Sequence, residues 1–251
     1  MHSLIAVVLA ILASAGPANG FASRLRFWDI HGQPVAMLAY HIVTPSVMDP
    51  VRLTATQWDS PSRQRLDSTW TQLPEPTMGS LPSVIGVIVL PRPFAMTTWQ
   101  LRAVRPNGDS IVTIERADES PLDAANISMS DLALGTTRNS VMWEHDGTTT
   151  AITLSDTISI HDTLHVAYQV RSASVRARVR TTLTFTDITD PKHGEIALQA
   201  SFDGALSSGV NEFDREIDLS HLRRGRYRLE LQVGDLDGGG VSVRPVQFYL
   251  Q

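Results

Sequence analysis

One periodicity dominates this chain after its first twenty residues: apolar and polar side chains alternate with a period of two. Tyr227, Leu229, Leu231 and Val233 share one side of a run whose other side is Arg226, Arg228, Glu230 and Gln232. Leu164, Val166, Tyr168 and Val170 alternate with His165, Ala167 and Gln169. Val175, Ala177, Val179, Thr181, Leu183 and Phe185 alternate with Arg176, Arg178, Arg180, Thr182 and Thr184. Ile196, Leu198, Ala200 and Phe202 continue the pattern, and Val241 and Val243 change phase at Pro245 to Val246, Phe248 and Leu250. Successive side chains of a strand point to opposite faces, so this pattern describes strands with one face on a core and one in water, the habit of antiparallel sheets. Pro245 cannot donate to a central ladder and predicts a bulge or an edge position. No later segment sustains a helical period beyond one or two turns.

Turn chemistry separates the runs. Residues 190–194 (Asp-Pro-Lys-His-Gly), Asp203-Gly204, Ser208-Gly209 and Asp237-Gly238-Gly239-Gly240 are predicted turns. In the first half, strands are expected over 24–30, 34–43, 51–58, 83–90, 97–104 and 109–116, with a hairpin turn at Pro106-Asn107-Gly108-Asp109. The 34–43 run is apolar on both faces, which predicts a central strand or one that meets a second surface. Residues 72–83 read as a Pro-rich loop, and the polar stretch 116–126 is the best boundary. A chain of 251 residues, 42% hydrophobic, is long enough for two cores. The fold class expected is all-β: two tandem antiparallel β-sandwich domains of immunoglobulin or fibronectin type behind a signal peptide. The domains run 21–118 and 127–251, joined by a linker at 119–126, with the leader at 1–20.

The leader rests on residues 4–15, a twelve-residue apolar run too short for a membrane-spanning helix of ~20 residues. Small residues follow it at Ala13-Ser14-Ala15 and Ala18-Asn19-Gly20, as a cleavage site requires, although only His2 stands where Lys or Arg is usual. No other segment is apolar enough to span a bilayer as a helix. These features predict export to the periplasm or beyond. The chain lacks cysteine, which excludes disulfides, thiolate metal sites and a thiol nucleophile. A net charge of −5 argues against binding nucleic acid through its phosphates.

"ISMSDLALG" at 127–135 precedes a β-rich tail that ends in Leu219-Ser220-His221-Leu222-Arg223-Arg224-Gly225-Arg226-Tyr227-Arg228-Leu229. This order resembles the C-terminal β-sandwich region of GWxTD-domain proteins, an exported bacterial family. "LRFWDIHGQPVAMLAYHIV" at 25–43 looks like the strand pair that opens the preceding β-domain in longer members. The motif that names the family is absent, so the resemblance implies a truncated or divergent relative. It supplies no activity and no catalytic residues.

Candidate sites are few. No nucleophile elbow, His-Glu-x-x-His helix, P-loop or dinucleotide fingerprint occurs. His161 and His165 share a strand face but stand about 13 Å apart, too far for one zinc ion. Asp235 and Asp237, two apart in a glycine-rich loop, have the ligand type of a calcium loop, but a plain β-turn is the simpler reading of the same residues. Arg176, Arg178 and Arg180 form a basic stripe suited to an anionic ligand, or a solvated face with acidic neighbours across the strands. Trp28, Trp58, Trp70 and Trp99 supply rings for a sugar platform, or for cores. Their spacing contains no repeat of ~40–45 residues, which rules out a WD-type propeller. Leu222, Gly225 and Tyr227 read as a sandwich corner, with Tyr227 facing inward and its hydroxyl bonded to upstream backbone. The function expected is non-catalytic: a protein-interaction or scaffold module of the cell envelope, its partner an envelope or surface protein. The alternative is a carbohydrate-binding module that uses the first-domain aromatics.

Overall fold

The computed structural model describes residues 19–21, 25–29, 31–59, 64–76, 81–91, 97–108, 110–117, 122, 126–138, 140–145, 147–190, 192, 194–238 and 240–251. Seventeen strands and no helix occur among them. The first half holds β1 (Asn19–Phe21), β2 (Leu25–Trp28), β3 (Pro34–Val43), β4 (Val51–Asp59), β5 (Gln64–Gln72), β6 (Ser83–Pro91), β7 (Thr97–Val104) and β8 (Ser110–Ala117). The second half holds β9 (Ile127–Met129), β10 (Ala133–Thr136), β11 (Ser140–His145), β12 (Thr148–Thr153), β13 (Thr157–Ile158), β14 (Thr163–Asp187), β15 (Glu195–Asp218), β16 (Gly225–Asp235) and β17 (Val241–Leu250). All pairings are antiparallel except the short β13–β17 contact.

In the first half two sheets lie face to face. β3 is central in one, with β1 and β2 on one edge and β6 on the other; the second sheet runs β5-β4-β7-β8. Ala36, Leu38, Tyr40 and Ile42 of β3 meet Val51, Leu53 and Ala55 of β4 and Leu101 and Ala103 of β7. The opposite face of β3 is also covered. Val35, Met37 and Ala39 pack with Phe27 against Ala133, Val141, Trp143, Ile152 and Ala167 of the second half. The two-faced apolar character of 34–43 therefore answers two partners. β5 has no counterpart in the alternation read above, because its sequence, QRLDSTWTQ, is largely polar and it occupies an edge. Gly108, at positive φ, turns β7 into β8.

The second half is organised by one ribbon. β14 and β15 pair over nearly their whole lengths of 25 and 24 residues. The turns expected at Asp203-Gly204 and Ser208-Gly209 are absent: β15 runs through both, because the ladder to β14 holds them extended. Instead the ribbon is bent. Ser172 pairs with Gly209 and Arg176 with Ser207, so residues 173–175 lie opposite Ser208 alone. Gly209 supplies the positive φ that this mismatch needs. Before the bulge β14 pairs with β9 and β10; after it, with β16. The extra residues also switch parity. Leu164, Val166, Tyr168 and Val170 face inward on one side, Ala177, Val179, Leu183 and Phe185 on the other, and all belong to one core with Leu229, Leu231 and Phe248.

The corner before β16 is defined by short contacts. Leu222 is buried, and its N–H bonds the carbonyl of Leu219 at 2.9 Å. Tyr227 is buried, and its hydroxyl donates to the carbonyl of Arg223 at 2.9 Å. A Cβ at Gly225 would collide with Oγ1 of Thr189, which accepts the N–H of Arg226 at 2.9 Å, so glycine keeps that contact intact.

The two halves are joined closely. The buried Gln169 side chain treats Trp28 as a strand would: Oε1 accepts the Trp28 N–H at 2.6 Å and Nε2 donates to its carbonyl at 3.0 Å. Arg26 donates through Nε and Nη2 to the two oxygens of Asp131, at 2.9 and 2.8 Å. Of the expected linker, only Leu122, which is buried, and Asn126 are among the described residues. Most of the expected leader lies outside them, but Asn19 and Gly20 belong to β1 and pair with Ile42 and His41 of β3.

Two substitutions test this packing. Gln169→Leu strands the backbone groups of Trp28 and is expected to lower unfolding free energy by about 1–3 kcal/mol in urea titrations. Tyr227→Phe removes one hydrogen bond and keeps the ring, for an expected loss of about 0.5–1.5 kcal/mol.

Candidate functional site

Two regions bring polar or exposed apolar groups together: a small cavity at the junction of the halves, and the free edge of β15.

The cavity, about 150 Å³, is lined by Phe27, His145, Thr150, Gln169, Glu212 and Asp214 among others. Glu212 and Asp214, two apart on β15, share a face. Each already has a partner. Glu212 Oε1 accepts from Gln169 Nε2 at 2.6 Å and lies 3.5 Å from Nδ1 of His145, whose ring stacks on Trp143 with centroids 3.5 Å apart. Asp214 Oδ2 lies 3.2 Å from Nδ1 of His165. Pockets that enclose small-molecule ligands usually measure ~300–1,000 Å³. This one fits a few waters or the tip of one side chain, and its acids are occupied in holding β14, β15 and the β11–β12 hairpin together.

β15 pairs only with β14, so its other edge meets no described strand. Along it Ile196 is 60% and Phe202 39% exposed. At this flank the guanidinium of Arg215 lies between two rings, its Cζ 5.1 Å from the centroid of Phe202 and 5.4 Å from that of Phe213. Phe213 stacks in turn on Tyr168, with centroids 5.1 Å apart. Cation–π attraction thus closes part of the gap between the two halves of the bent ribbon. Neither Arg215 nor the free edge is visible in the alternation, because an edge strand and a central strand share the same period.

The basic stripe is present, but two of its arginines are engaged. Arg178 is bound to Asp237 and Arg180 to Asp203, the latter at 2.7 Å. These guanidinium bonds hold both carboxyls below the usual carboxylate range. Arg176 is exposed, opposite Ser207. The pairs are solvated, so the stripe reads as an outer face balanced by its cross-strand neighbours.

The calcium reading of Asp235 and Asp237 meets the same arginine. Asp237 holds Arg178, while Asp235 Oδ1 accepts the N–H of Asp237 at 2.9 Å and shapes the turn. Among the described residues no three His, Asp or Glu side chains gather as metal ligands. The described tryptophan side chains of the expected aromatic platform do not share one exposed face. Trp28 is 1% exposed and belongs to the core, a correction that follows from its place between β3 and Gln169. Trp70 packs against the first core, and Trp58 is 42% exposed on the other face of the same sheet. The Trp99 side chain lies outside the described residues; its backbone pairs with Gln57.

No known protein family matches the chain, and no curated protein matches it. Among solved structures, red sea bream transglutaminase is similar over 92% of this chain and 31% of its own, at 13% identity and a TM-score of 0.29. A Bacteroides uniformis β-glucuronidase is similar over 86% of this chain and 26% of its own, at 12% identity and a TM-score of 0.33. This chain spans about a third or less of the length of either.

Because Asp237 is already engaged, millimolar calcium is expected to leave the melting temperature unchanged. A rise would show that the loop releases Arg178 to bind the ion, since a ligand taken only by the folded state must raise the midpoint.

Proposed function

We propose that this is a non-catalytic, exported protein that works as an interaction or scaffold module of the bacterial cell envelope, built as two tandem sandwiches of immunoglobulin or fibronectin type. The observation that carries this reading is the free edge of β15. A strand of 24 residues with one edge that meets no described strand is a template for strand addition. Its exposed Ile196 and half-exposed Phe202 and Leu198 give an incoming strand apolar surface to cover. The small cavity with its paired acids favours a structural role over a catalytic one. Export rests on the apolar segment at 4–15, and the likeness to GWxTD-domain proteins on 127–135 and 219–229. Tight joining of the halves through Gln169 and Arg26 suits a scaffold, since it presents β15 at a fixed angle. Against the glycan alternative, Trp28 is buried and Trp70 packs against the first core, which leaves Trp58 as the exposed ring among these three.

The test uses the full chain with its own N-terminus, expressed in a bacterial host with a photo-crosslinking residue in place of Ser201 on the outer side of β15. The same residue in place of Arg228, on β16, serves as the control. The expected result is a discrete adduct of higher mass from position 201 in the envelope fraction and none from 228. Protein that stays in the cytosolic fraction, or that yields no adduct at 201, would overturn the reading.

A further inference from the structure

β15 is guarded unevenly. Its second half carries Glu212, Asp214, Glu216 and Asp218, and a like strand laid beside it would meet repulsion. From Ile196 to Ser207 the one ionisable residue is Asp203, and both its oxygens are held by Arg180 of the neighbouring strand at 2.7 and 2.8 Å. Natural sheets usually place charge on an edge to prevent strand addition. Here the charge stops where the apolar side chains begin.

The inward side of this segment is Leu198, Ala200, Phe202, Gly204 and Leu206, paired with Phe185, Leu183, Thr181, Val179 and Ala177. In size it reads large, small, large, small, large, the same in both directions about Phe202. The outward side is Gln199, Ser201, Asp203 and Ala205, small or neutral except at 203. We propose that the protein pairs with a second copy of itself through this segment, the two β15 strands running antiparallel about a twofold axis at Phe202. The inference rests on the reading of β15 as a strand-addition edge and names its occupant.

The register that the axis imposes is favourable at each position. Phe202 meets Phe202 of the second copy, Leu198 meets Leu206, and Ala200 meets Gly204. On the outward side Asp203 meets Ser201 and Gln199 meets Ala205, so no like charges oppose one another. A Cβ at Gly204 would touch nothing within 4 Å, which leaves room beside the two Phe202 rings. A twofold contact of this kind is isologous and closes at two copies, so the exposed edge is consumed without growth into a fibre. The acidic half of β15 limits the pairing to the neutral half.

The chain contains no cysteine, so one introduced thiol reports on one position. Under mild oxidation, Phe202→Cys is expected to form a disulfide-linked dimer roughly tenfold or more faster than Ala200→Cys or Ala205→Cys. On the axis two Cβ atoms stand within ~5 Å, near disulfide reach, whereas a thiol at 200 is about 13 Å from its copy. Sedimentation of the unaltered chain, which retains Phe202, is expected to show a dimer, and Phe202→Lys a folded monomer by near-UV circular dichroism. A monomeric native chain at micromolar concentration, or equal crosslinking rates at 200, 202 and 205, would overturn the twofold pairing. If those results came with adducts to a different protein from position 201, strand addition at β15 would stand and only its occupant would change. Loss of both signals would remove both.

Discussion

The bulge that places residues 173–175 of β14 against Ser208 alone is the constraint on which the second half of the protein depends. It bends a two-stranded ribbon so that one strand serves two sets of neighbours, β9 and β10 on one side and β16 on the other. It also reverses parity, so the even-numbered apolar residues before it and the odd-numbered ones after it reach the same core. Without the parity change one half of β14 would turn Val179, Leu183 and Phe185 to water, at about 1.5–3 kcal/mol for each large side chain left unburied. Gly209 makes the bend tolerable on the partner strand. The corner at Leu222, Gly225 and Tyr227 then brings β16 back onto the second half of β14, and its inward residues complete the core that the bend opens.

The junction follows from the same strand. On the N-terminal half of β14 the inward residues Leu164, Val166, Tyr168 and Val170 leave Ala167 and Gln169 facing the other way, toward Phe27 and Trp28. β3 completes the match by offering an apolar face on each side. The result is a continuous stack in which the middle layers are shared, closed at one point by the buried amide of Gln169 and at another by the Arg26–Asp131 pair. A free hinge between the halves would require Trp28, Val35 and Met37 to become exposed. The acids of the junction cavity belong to this seam: Glu212 and Asp214 lie where β15 passes the β11–β12 hairpin, and their partners are the groups that hold it there.

Long edge strands are a hazard that proteins usually suppress with charge, proline or brevity. β15 concentrates its charge in its second half; its first half carries only Glu195, at its start, and Asp203. From 197 to 205 the outward residues are Ala197, Gln199, Ser201, Asp203 and Ala205, and Asp203 is held by Arg180 within the chain. The cation–π stack of Phe202, Arg215 and Phe213 shields the gap between the sheets but leaves the backbone edge open. A structural requirement for a long ribbon explains why β15 exists; it does not explain why half of it lacks protection, and the proposed interaction role rests on that asymmetry.

Much of this architecture was legible from residues alone, because the period of two reports directly which side chains share a face. The alternation of Tyr227, Leu229, Leu231 and Val233 holds throughout β16. The phase change and bulge expected at Pro245 do not occur: β17 keeps one unbroken register with β16, so Ser242 is buried while Val241 and Val243 are exposed. Pro245 fits only the edge alternative, since β13 meets β17 at Tyr249 and Leu250 alone. The inward position of Tyr227 could be read because its alternation with Arg226 and Arg228 is unbroken. What alternation cannot report is the partner. It could not tell that the glycines at 204 and 209 lie within a strand, since a Gly beside Asp or Ser has the chemistry of a turn until a long ladder overrides it. It could not find β5, whose polar sequence suits an edge and nothing else. The arginine stripe, the Asp235–Asp237 loop and the tryptophans were visible as residue types, but pairing across strands decided their use: Arg178 meets Asp237, and Trp28 enters the core. Sequence by itself determined that this is a chain of strands and which of their faces are apolar, because pleating is local. Tertiary structure decided which edge stays open, because an edge is defined by the neighbour a strand lacks.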